Sequence, residues 1–559
     1  MWLINTHTRL LEFVTEPEEY TYAILSHTWE DGEVSFHDFQ VPEEARKKKG
    51  FDKIIRTCQL ASDHGLEYAW VDTCCIDKSS SAELSEAINS MFKWYMNSAI
   101  CFVFLSDLSP GSPFEDSFPK CRWLNRGWTL QEIVAPKAAE FYDAEWKLRG
   151  RKPELNALLA RVTGIDYAVL SNSQAMFDVP VARRMSWASM RQTTRLEDRA
   201  YCLLGIFGVN MPMLYGEGDK AFIRLQEEII KESSDLSLFA WTELPSSSSS
   251  ESPNHQSYRG IFARSPREFT YAHHLKPRIK DAAIGTEFSI TNLGLRVETA
   301  LISVPDITQD FVWDLGVSER DDWPKDRPDG WVGIYLTKTS NGYVRSNPHI
   351  LFTAEPHMRR YRGDNTPVYI RKDLRTSESR AIENRFHGAI CVDFSGAPYH
   401  IYAAVPQQLW DPNRSLFLSQ GQGINGYLFL RYSDSESIAE FIVAFTTMNK
   451  PICYIFSDQG QLFKQVRQFI DTAREITYYV SADYLRMQFL SEEILAQPSC
   501  APCISTRISA VALPRYTYQM NIQAELQPHT FQNQPCFNLK LAFAESNNWA
   551  TYRSSSLLA

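Results

Sequence analysis

The stretch Trp123–Glu132, WLNRGWTLQE, lies between two apolar runs, AICFVFLSDL at residues 99–108 and AAEFYD at residues 138–143. Asn125 can accept hydrogen bonds from the free N–H groups of a helix start, which predicts a helix whose first turn contains Gly127 and Trp128. Trp128 and Glu132 are four residues apart and share one face of that helix. Strand, helix and strand in this order are typical of a parallel α/β sheet.

The segments before this stretch repeat the alternation. Apolar strands are predicted at YAILS (22–26) and LEYAWVDTCCID (66–77), and amphipathic helices follow both strands. We therefore predict an α/β fold with a flavodoxin-like parallel sheet of strand order 2-1-3-4. The segment MSWASMRQTTRLEDRAYCLLGIFG (185–208) is predicted to be one continuous helix that ends at glycine, and GEGDKAFIRLQEEIIKE (216–232) another.

Composition changes along the chain predict the domain organisation. Residues 1–150 are the expected α/β core, and residues 151–242 a helical cap. The tract ELPSSSSSESPNHQS at residues 243–257 has the composition of a flexible linker. Residues 258–559 contain many short strands separated by turn residues, which predicts a mainly-β, sandwich-like region, with two β-sandwiches in succession as one arrangement.

Overall composition excludes several classes of protein. The chain has 559 residues, of which 44% are hydrophobic and 22% charged, as in ordinary globular domains. A formal net charge of -10 argues against a nucleic-acid-binding surface, which needs clustered cations. Eleven cysteines without framework spacing indicate reduced thiols and a cytoplasmic location. Since no stretch is long and apolar enough, no membrane span is expected.

Four candidate residues fall near the predicted edge of the sheet, and with strand order 2-1-3-4 three of them, His27, Trp29 and Glu132, are expected to share a crevice. His27 and Trp29 follow the first strand, Asp72 follows the second, and Glu132 lies in the helix after the third. With strand order 2-1-3-4, the loops after the first and third strands face one another across the crevice where such sheets bind ligands. Each residue alone also has a structural interpretation: Glu132 offsets a helix dipole, Trp29 packs in the core, and His27 is a satisfied loop residue.

The remaining motifs give weaker indications. Cys74 and Cys75 are adjacent in a strand and point to opposite faces, so we predict no metal site there. The GxGxxG pattern at Gly421, Gly423 and Gly426 precedes a strand, which favours a hairpin turn over a phosphate loop. Cys500 and Cys503 form a CxxC pair in a proline-rich loop, where a coincidental pair is expected. The alternating charges from Arg191 to Arg199 indicate a solvated helix face, with Arg191 or Arg195 as a candidate phosphate ligand if the cap overhangs the crevice.

Four blocks of this sequence resemble a known family. YAILSHTW, GLEYAWVDTCCID, RGWTLQEIVAPK with FYD, and SWASMRQTTRLEDRAYCLLGIFGVNMPMLYGEGDKAF are similar, in order and spacing, to the signature blocks of the HET (heterokaryon incompatibility) domain of filamentous fungi. The resemblance covers about residues 1–240. It implies a role in allorecognition and programmed cell death, a form of fungal innate immunity, with a protein partner in recognition. HET domains in turn resemble TIR domains, and Trp128–Glu132 aligns with the TIR segment that contains the catalytic glutamate.

Two functions follow from this resemblance. In the first, the domain is an NAD+ glycohydrolase with Glu132 as the catalytic residue. Trp29 or Trp128 would then stack on a ring, and His27 or Asp72 would hold ribose hydroxyls. NAD+ or a related nucleotide would be the substrate, no cofactor or metal would be needed, and self-association would accompany activation. In the second, the domain is a non-enzymatic death-signalling scaffold and the β-rich half senses a ligand. A cysteine hydrolase using Cys74 or Cys75 is a third, less favoured alternative.

Overall fold

The chain folds into two compact units, Met1–Leu374 and Arg375–Ala559, in a computed structural model. Each unit is described separately. The structure describes residues 1–244, 256–278, 287–303, 310–319, 330–339, 342–354, 363–384 and shorter stretches between 388 and 545.

A seven-stranded mixed sheet forms the centre of the N-terminal part. Its strands are β1 (Trp2–Asn5), β2 (Leu11–Phe13), β3 (Tyr22–His27), β4 (Tyr68–Trp70), β5 (Ile100–Phe104), β6 (Ala139–Tyr142) and β7 (Leu148–Arg151). Their spatial order is β2-β1-β4-β3-β5-β6-β7. The four strands β4, β3, β5 and β6 are parallel and are the predicted strands 2, 1, 3 and 4, so the predicted order is confirmed. The antiparallel strands β1, β2 and β7 were not predicted.

Helices cover the sheet and form most of the segment after β7. They are α1 (Phe36–Phe39), α2 (Pro42–Lys47), α3 (Phe51–Asp63), α4 (Ser81–Asn97), α5 (Phe114–Ser117), α6 (Thr129–Val134), α7 (Lys152–Thr163), α8 (Tyr167–Ser171), α9 (Val181–Ser186), α10 (Asp198–Tyr201), α11 (Leu204–Phe207) and α12 (Lys220–Glu232). The predicted helix start at Asn125 is wrong. Residues 122–125 form a 3-10 turn, and α6 begins after Trp128 without a side-chain cap.

The predicted continuous helix over residues 185–208 is also wrong. It is divided into α9, α10 and α11, with a non-helical segment between Trp187 and Glu197. Within that segment, the N–H of Gln192 donates to the carbonyl of Asn125 at 2.6 Å, and the N–H of Gly127 donates to the carbonyl of Gln192 at 2.9 Å. These bonds to a distant segment replace helical ones, which local periodicity cannot reveal.

A ten-stranded sheet completes the first unit. Its strands are β8 (Tyr258–Arg259), β9 (Leu275–Pro277), β10 (Phe288–Thr291), β11 (Gly294–Thr299), β12 (Ile302–Ser303), β13 (Asp310–Glu319), β14 (Trp331–Thr339), β15 (Gly342–Ser346), β16 (Phe352–Ala354) and β17 (Thr366–Ile370). The hydrophobic core is continuous from the α/β sheet into this sheet and includes Trp241, Trp313 and Ile370. At the junction, the guanidinium groups of Arg345 and Arg259 lie 3.7 and 4.2 Å from the ring centroid of Trp241.

The second unit is strand-rich, as predicted. After α13 (Thr376–Asn384), it contains β18 (Ile390–Asp393), β19 (Tyr399–Val405), β20 (Trp410–Asp411), β21 (Leu416–Phe417), β22 (Asn425–Ser433), β23 (Ile438–Thr446), β24 (Ile452–Ser457), β25 (Pro502–Ile504), β26 (Val511–Ala512), β27 (Met520–Phe531) and β28 (Gln534–Glu545). They form a six-stranded and a five-stranded sheet. Leu539 of one sheet and Val443 of the other belong to the same buried core.

Some predicted features fall outside the described residues. They include residues 245–255 of the predicted linker, Gly421 and Gly423 of the GxGxxG pattern, and Cys500 of the CxxC pair. Among the helices that the structure does describe, none has the length and apolar composition needed to cross a membrane.

Close packing of α11 on α4 gives the first testable prediction. A Cβ atom on Gly205 would lie 2.1 Å from the Cβ of Phe92, so a Gly205→Ala substitution must displace one of the two helices. We expect it to lower the free energy of unfolding by at least about 2 kcal/mol, measured by urea denaturation. The matched control is Gly363→Ala, whose Cβ would find its nearest neighbour, a carbonyl oxygen, at 3.4 Å. Equal effects of both substitutions would contradict the packing described here.

Candidate functional site

Three of the predicted site residues meet at the carboxyl ends of β3 and β4. The Nε2 atom of His27 lies 3.1 Å from Oδ1 of Asp72, and the indole N–H of Trp29 donates to Oδ2 of the same carboxylate at 2.7 Å. On the other side of the imidazole, Nζ of Lys53 lies 3.3 Å from Nδ1 of His27. Because an ammonium group can only donate, Nδ1 accepts, and the proton on Nε2 is donated to Asp72.

The electrostatics of this cluster keep Asp72 ionised. Burial acts to raise the pKa of Asp72, but the hydrogen bond from His27, together with the charge of Lys78, holds that pKa below its ordinary value. The ammonium group of Lys78 also lies 3.8 Å from the ring centroid of Trp29. Trp29 is 41% exposed, so one large aromatic surface is presented to solvent above a buried ion-paired layer.

Glu132 is positioned by a separate hydrogen-bond chain. The indole N–H of Trp123 donates to Oγ of Ser26 at 2.7 Å, so the Ser26 hydroxyl proton is directed to Oε2 of Glu132. Glu132 is only 6% exposed. Burial raises the pKa of the Glu132 carboxyl to about 8, and the negative charge of Asp72 acts in the same direction. The carboxyl group is therefore mostly protonated at neutral pH.

The two groups of residues lie on opposite sides of the same strand. Successive side chains of a β-strand point to opposite faces. At the end of β3, Ser26 contacts α6 through Glu132, whereas His27 contacts α3 through Lys53. The structure thus brings His27, Trp29 and Asp72 into one cluster and places Glu132 behind them, beside Ser26. The sequence-based prediction of a single shared crevice did not take this alternation into account.

Sequence reasoning missed two residues of the site, Ser26 and Lys53. Ser26 precedes His27 in the SHTW block, and its place in the strand alternation was a usable signal. Lys53 lies on the buried face of α3, where a lysine is unusual. It forms a salt bridge with Glu33, so its charge is compensated.

Comparisons with known proteins show which family part of this chain resembles. Residues 22–119 match the model of the heterokaryon incompatibility protein (HET) family. The chain contains a HET domain. It is also 47% identical over 221 residues, 38% of this chain, to the vegetative incompatibility protein HET-E-1 of Podospora anserina, and it spans 16% of the length of that relative. Residues 220–308 match a domain of unknown function, DUF8212, and no solved structure matches the chain.

The other predicted site residues lie beyond the matched part of the HET domain, which includes His27, Trp29 and Asp72 but ends before Trp128. Trp128 is half-buried, and its indole is hydrogen-bonded to Asp198. Arg191 donates from Nη1 to the carbonyl of Arg126 and to the hydroxyl of Thr129, both at 2.9 Å. Arg191 therefore stabilises the start of α6. The sequence had predicted that Arg191 lies on a solvated helix face.

The thiols of the HET domain do not form a reactive site. Cys74 and Cys75 are buried, and burial raises the pKa of Cys74 well above its ordinary value. A thiol in this environment is a poor nucleophile, which disfavours a cysteine hydrolase. Within the described part of the chain, no group of three or more histidine, cysteine or acidic residues has metal-site geometry.

A cavity of about 590 Å³ lies beside the start of α6. It is lined by Gly127, by residues 188–193, by Arg199 and Cys202, and by Ser265–Arg267. Glu132 does not line this cavity, although Arg191 does and interacts electrostatically with the Glu132 carboxyl. The region around α6 therefore contains a buried acid on one side and a cationic cavity on the other.

The pKa of Glu132 gives the second prediction, on stability against pH. Because the pKa rises from 4.5 to about 8 on folding, the folded protein binds the proton more tightly. The protonated Glu132 stabilises the folded state relative to the unfolded state fully below pH 4.5, and this stabilisation is lost as the pH rises toward 8. A Glu132→Gln variant keeps a neutral acceptor for Ser26 and lacks this titration. We expect the difference in free energy of unfolding, variant minus wild type, to increase by roughly 3 kcal/mol from pH 5 to pH 8.

The measurement is thermal or urea unfolding of both proteins across that pH range. Glu43 on α2 is exposed, and Glu43→Gln is the matched control for the effect of a Glu-to-Gln substitution outside the site. A constant difference between wild type and Glu132→Gln from pH 5 to pH 8 would show that Glu132 titrates normally.

Proposed function

We propose that this chain is a cell-death effector of fungal heterokaryon incompatibility whose HET domain hydrolyses NAD+. The HET match and the 47% identity to an incompatibility protein support the biological role. The resemblance of HET to TIR domains motivates the enzymatic part, and the parallel strand order 2-1-3-4 is compatible with it. The observation that carries the enzymatic part is the buried carboxyl of Glu132 at the carboxyl edge of the sheet.

The proposed reaction breaks the bond between nicotinamide and ribose. Nicotinamide leaves as a neutral molecule and takes the bonding electrons, so the ribose carbon becomes an oxocarbenium-like cation. Water then adds to this carbon and loses a proton, which yields ADP-ribose. A carboxylate near the ribose stabilises the cation or orients the water, as in glycoside hydrolysis. Glu132 would have this role in its ionised form.

The electrostatic environment of Glu132 suits a cationic substrate. In the free protein its carboxyl is mostly protonated because it is buried and near the negative charge of Asp72. The positive nicotinamide ring of NAD+ would favour the ionised form, so substrate binding and activation of the carboxyl would be coupled.

The direct experiment is NAD+ consumption by the purified full chain. We expect Glu132→Gln to reduce the rate by about 100-fold or more, because the carboxylate acts on the transition state. Glu43→Gln serves as the matched control and should retain the wild-type rate. A folded Glu132→Gln protein with unchanged activity would remove Glu132 from the mechanism. An inactive wild-type protein, assayed in an assembled state that triggers cell death, would refute the enzymatic function.

A pH profile tests the same residue independently. Since the ionised carboxylate is the active form and its pKa in the free protein is about 8, kcat/KM should rise about tenfold per pH unit below that value. It should level off above pH 8. Under saturating NAD+, kcat should level off at a lower pH, because the bound cation stabilises the carboxylate. A kcat/KM that is flat from pH 6 to pH 8 would exclude this assignment.

A second candidate function is a non-enzymatic signalling scaffold. The observation that favours it is the structural use of the site residues: Glu132 is buried against Ser26, and Trp128 is hydrogen-bonded to Asp198. In this case the HET domain would act through self-association or a protein partner. Cell death on expression that survives Glu132→Gln, while NAD+ levels stay constant, would favour the scaffold over the enzyme.

A further inference from the structure

The cavity beside α6 has an unusual charge composition. Arg191, Arg199 and Arg267 contribute to its lining, and none of the described lining residues is acidic. Ser189, Gln192 and Ser265 add hydrogen-bonding side chains, and Met190 and Pro266 add apolar surface. A volume of about 590 Å³ is within the range of small-molecule sites. We call this cavity the arginine cavity.

Arg191 is the most extensively hydrogen-bonded of the three arginines that line the arginine cavity. Its three hydrogen bonds all go to neutral oxygens: the carbonyls of Trp187 and Arg126 and the hydroxyl of Thr129. Burial lowers the pKa of its guanidinium to about 10, so it remains charged at neutral pH. A half-buried guanidinium whose hydrogen bonds all go to neutral oxygens retains its positive charge for a bound anion.

The other two arginines are available to a ligand. Nη1 of Arg199 lies 3.8 Å from Oδ1 of Asp219, and the two side chains are 41% and 69% exposed. An ion pair of this length and exposure is weak and can be replaced. Arg267 is exposed, and its guanidinium has no ion-pair partner among the described residues. Arginine guanidinium groups bind phosphate oxygens through pairs of parallel N–H donors.

The walls of the arginine cavity come from two parts of the chain. Residues 188–193 belong to the non-helical segment after α9, and Ser265–Arg267 lie in the region matched by the second family model. The break in the predicted helix therefore has a structural consequence, because it turns Arg191 and Gln192 toward the segment that begins at Ser265. A ligand in the cavity would contact both regions at once.

We infer that the arginine cavity is a binding site for a diphosphate group, carried by a nucleotide or present as inorganic pyrophosphate. Two linked phosphates supply enough negative charge and enough acceptors for three guanidinium groups. This site is separate from the proposed catalytic residue, since Glu132 does not line it. Binding there does not require that the HET domain hydrolyse NAD+.

The test is calorimetric titration of the purified full chain with ADP, inorganic pyrophosphate and adenosine. We expect saturable binding of ADP or pyrophosphate and none of adenosine. The double variant Arg199→Gln/Arg267→Gln should raise the dissociation constant at least about tenfold. It spares Arg191, which holds α6. Arg46→Gln on α2, an exposed arginine outside the cavity, is the matched control and should bind as wild type does.

Tighter binding of ADP than of pyrophosphate would identify a nucleotide ligand, and equal or weaker binding would identify the inorganic ion. The inference is overturned if neither diphosphate binds saturably, or if Arg46→Gln weakens binding as much as the double variant does. Should the double variant fail to fold, Arg267→Gln alone replaces it, because this substitution changes only an exposed side chain. The single variant should likewise raise the dissociation constant at least about tenfold. Failure of Glu132→Gln to affect NAD+ consumption would leave this binding result unchanged.

Discussion

The hydrogen-bond chain from Trp123 through Ser26 to Glu132 joins the parallel sheet to α6, and the surrounding structure depends on it. Three polar groups that would each be costly to bury alone satisfy one another in the core. The serine hydroxyl has one proton, and since it accepts from the indole, that proton is directed to the carboxyl. This fixes the side chain of Glu132 at the edge of the sheet and keeps it out of water.

Arg191 completes the same arrangement from the opposite end of α6. It bonds to the turn that precedes the helix, so a helix without a side-chain cap still has a fixed start. Its charge is one of the two that act to lower the pKa of Glu132, and burial acts more strongly in the other direction. A buried protonated acid and a half-buried charged guanidinium thus lie close together, and neither forms a salt bridge with another described residue. Pairs of this kind are common where proteins bind charged ligands.

The first unit shows how charge can be buried at a junction. Arg345 and Arg259 lie against the Trp241 ring, and Arg345 donates to the carbonyls of Phe239 and Trp241. Arg259 forms a salt bridge with Glu268. Carbonyl oxygens, an aromatic face and one carboxylate together replace the lost water. The junction connects the HET domain to the ten-stranded sheet through one continuous core.

Sequence patterns alone were enough to predict the helices α3, α4 and α12, the strand-rich character of the second unit and the family, and a flavodoxin-like pattern supplied the order of the four parallel strands. Apolar periodicity and adjacent signature blocks are local signals, and they were sufficient for these features. The sequence placed His27, Trp29 and Asp72 near the carboxyl ends of neighbouring strands, but it grouped His27 and Trp29 with Glu132 and not with Asp72. The division of the site between two faces of β3, with Ser26 on one and His27 on the other, became visible in the folded chain because it depends on which helix packs on each face. Only the tertiary structure decided that residues 187–197 leave the helix to pair with Asn125 and Gly127, because those hydrogen bonds join segments about 65 residues apart and leave no mark on local periodicity.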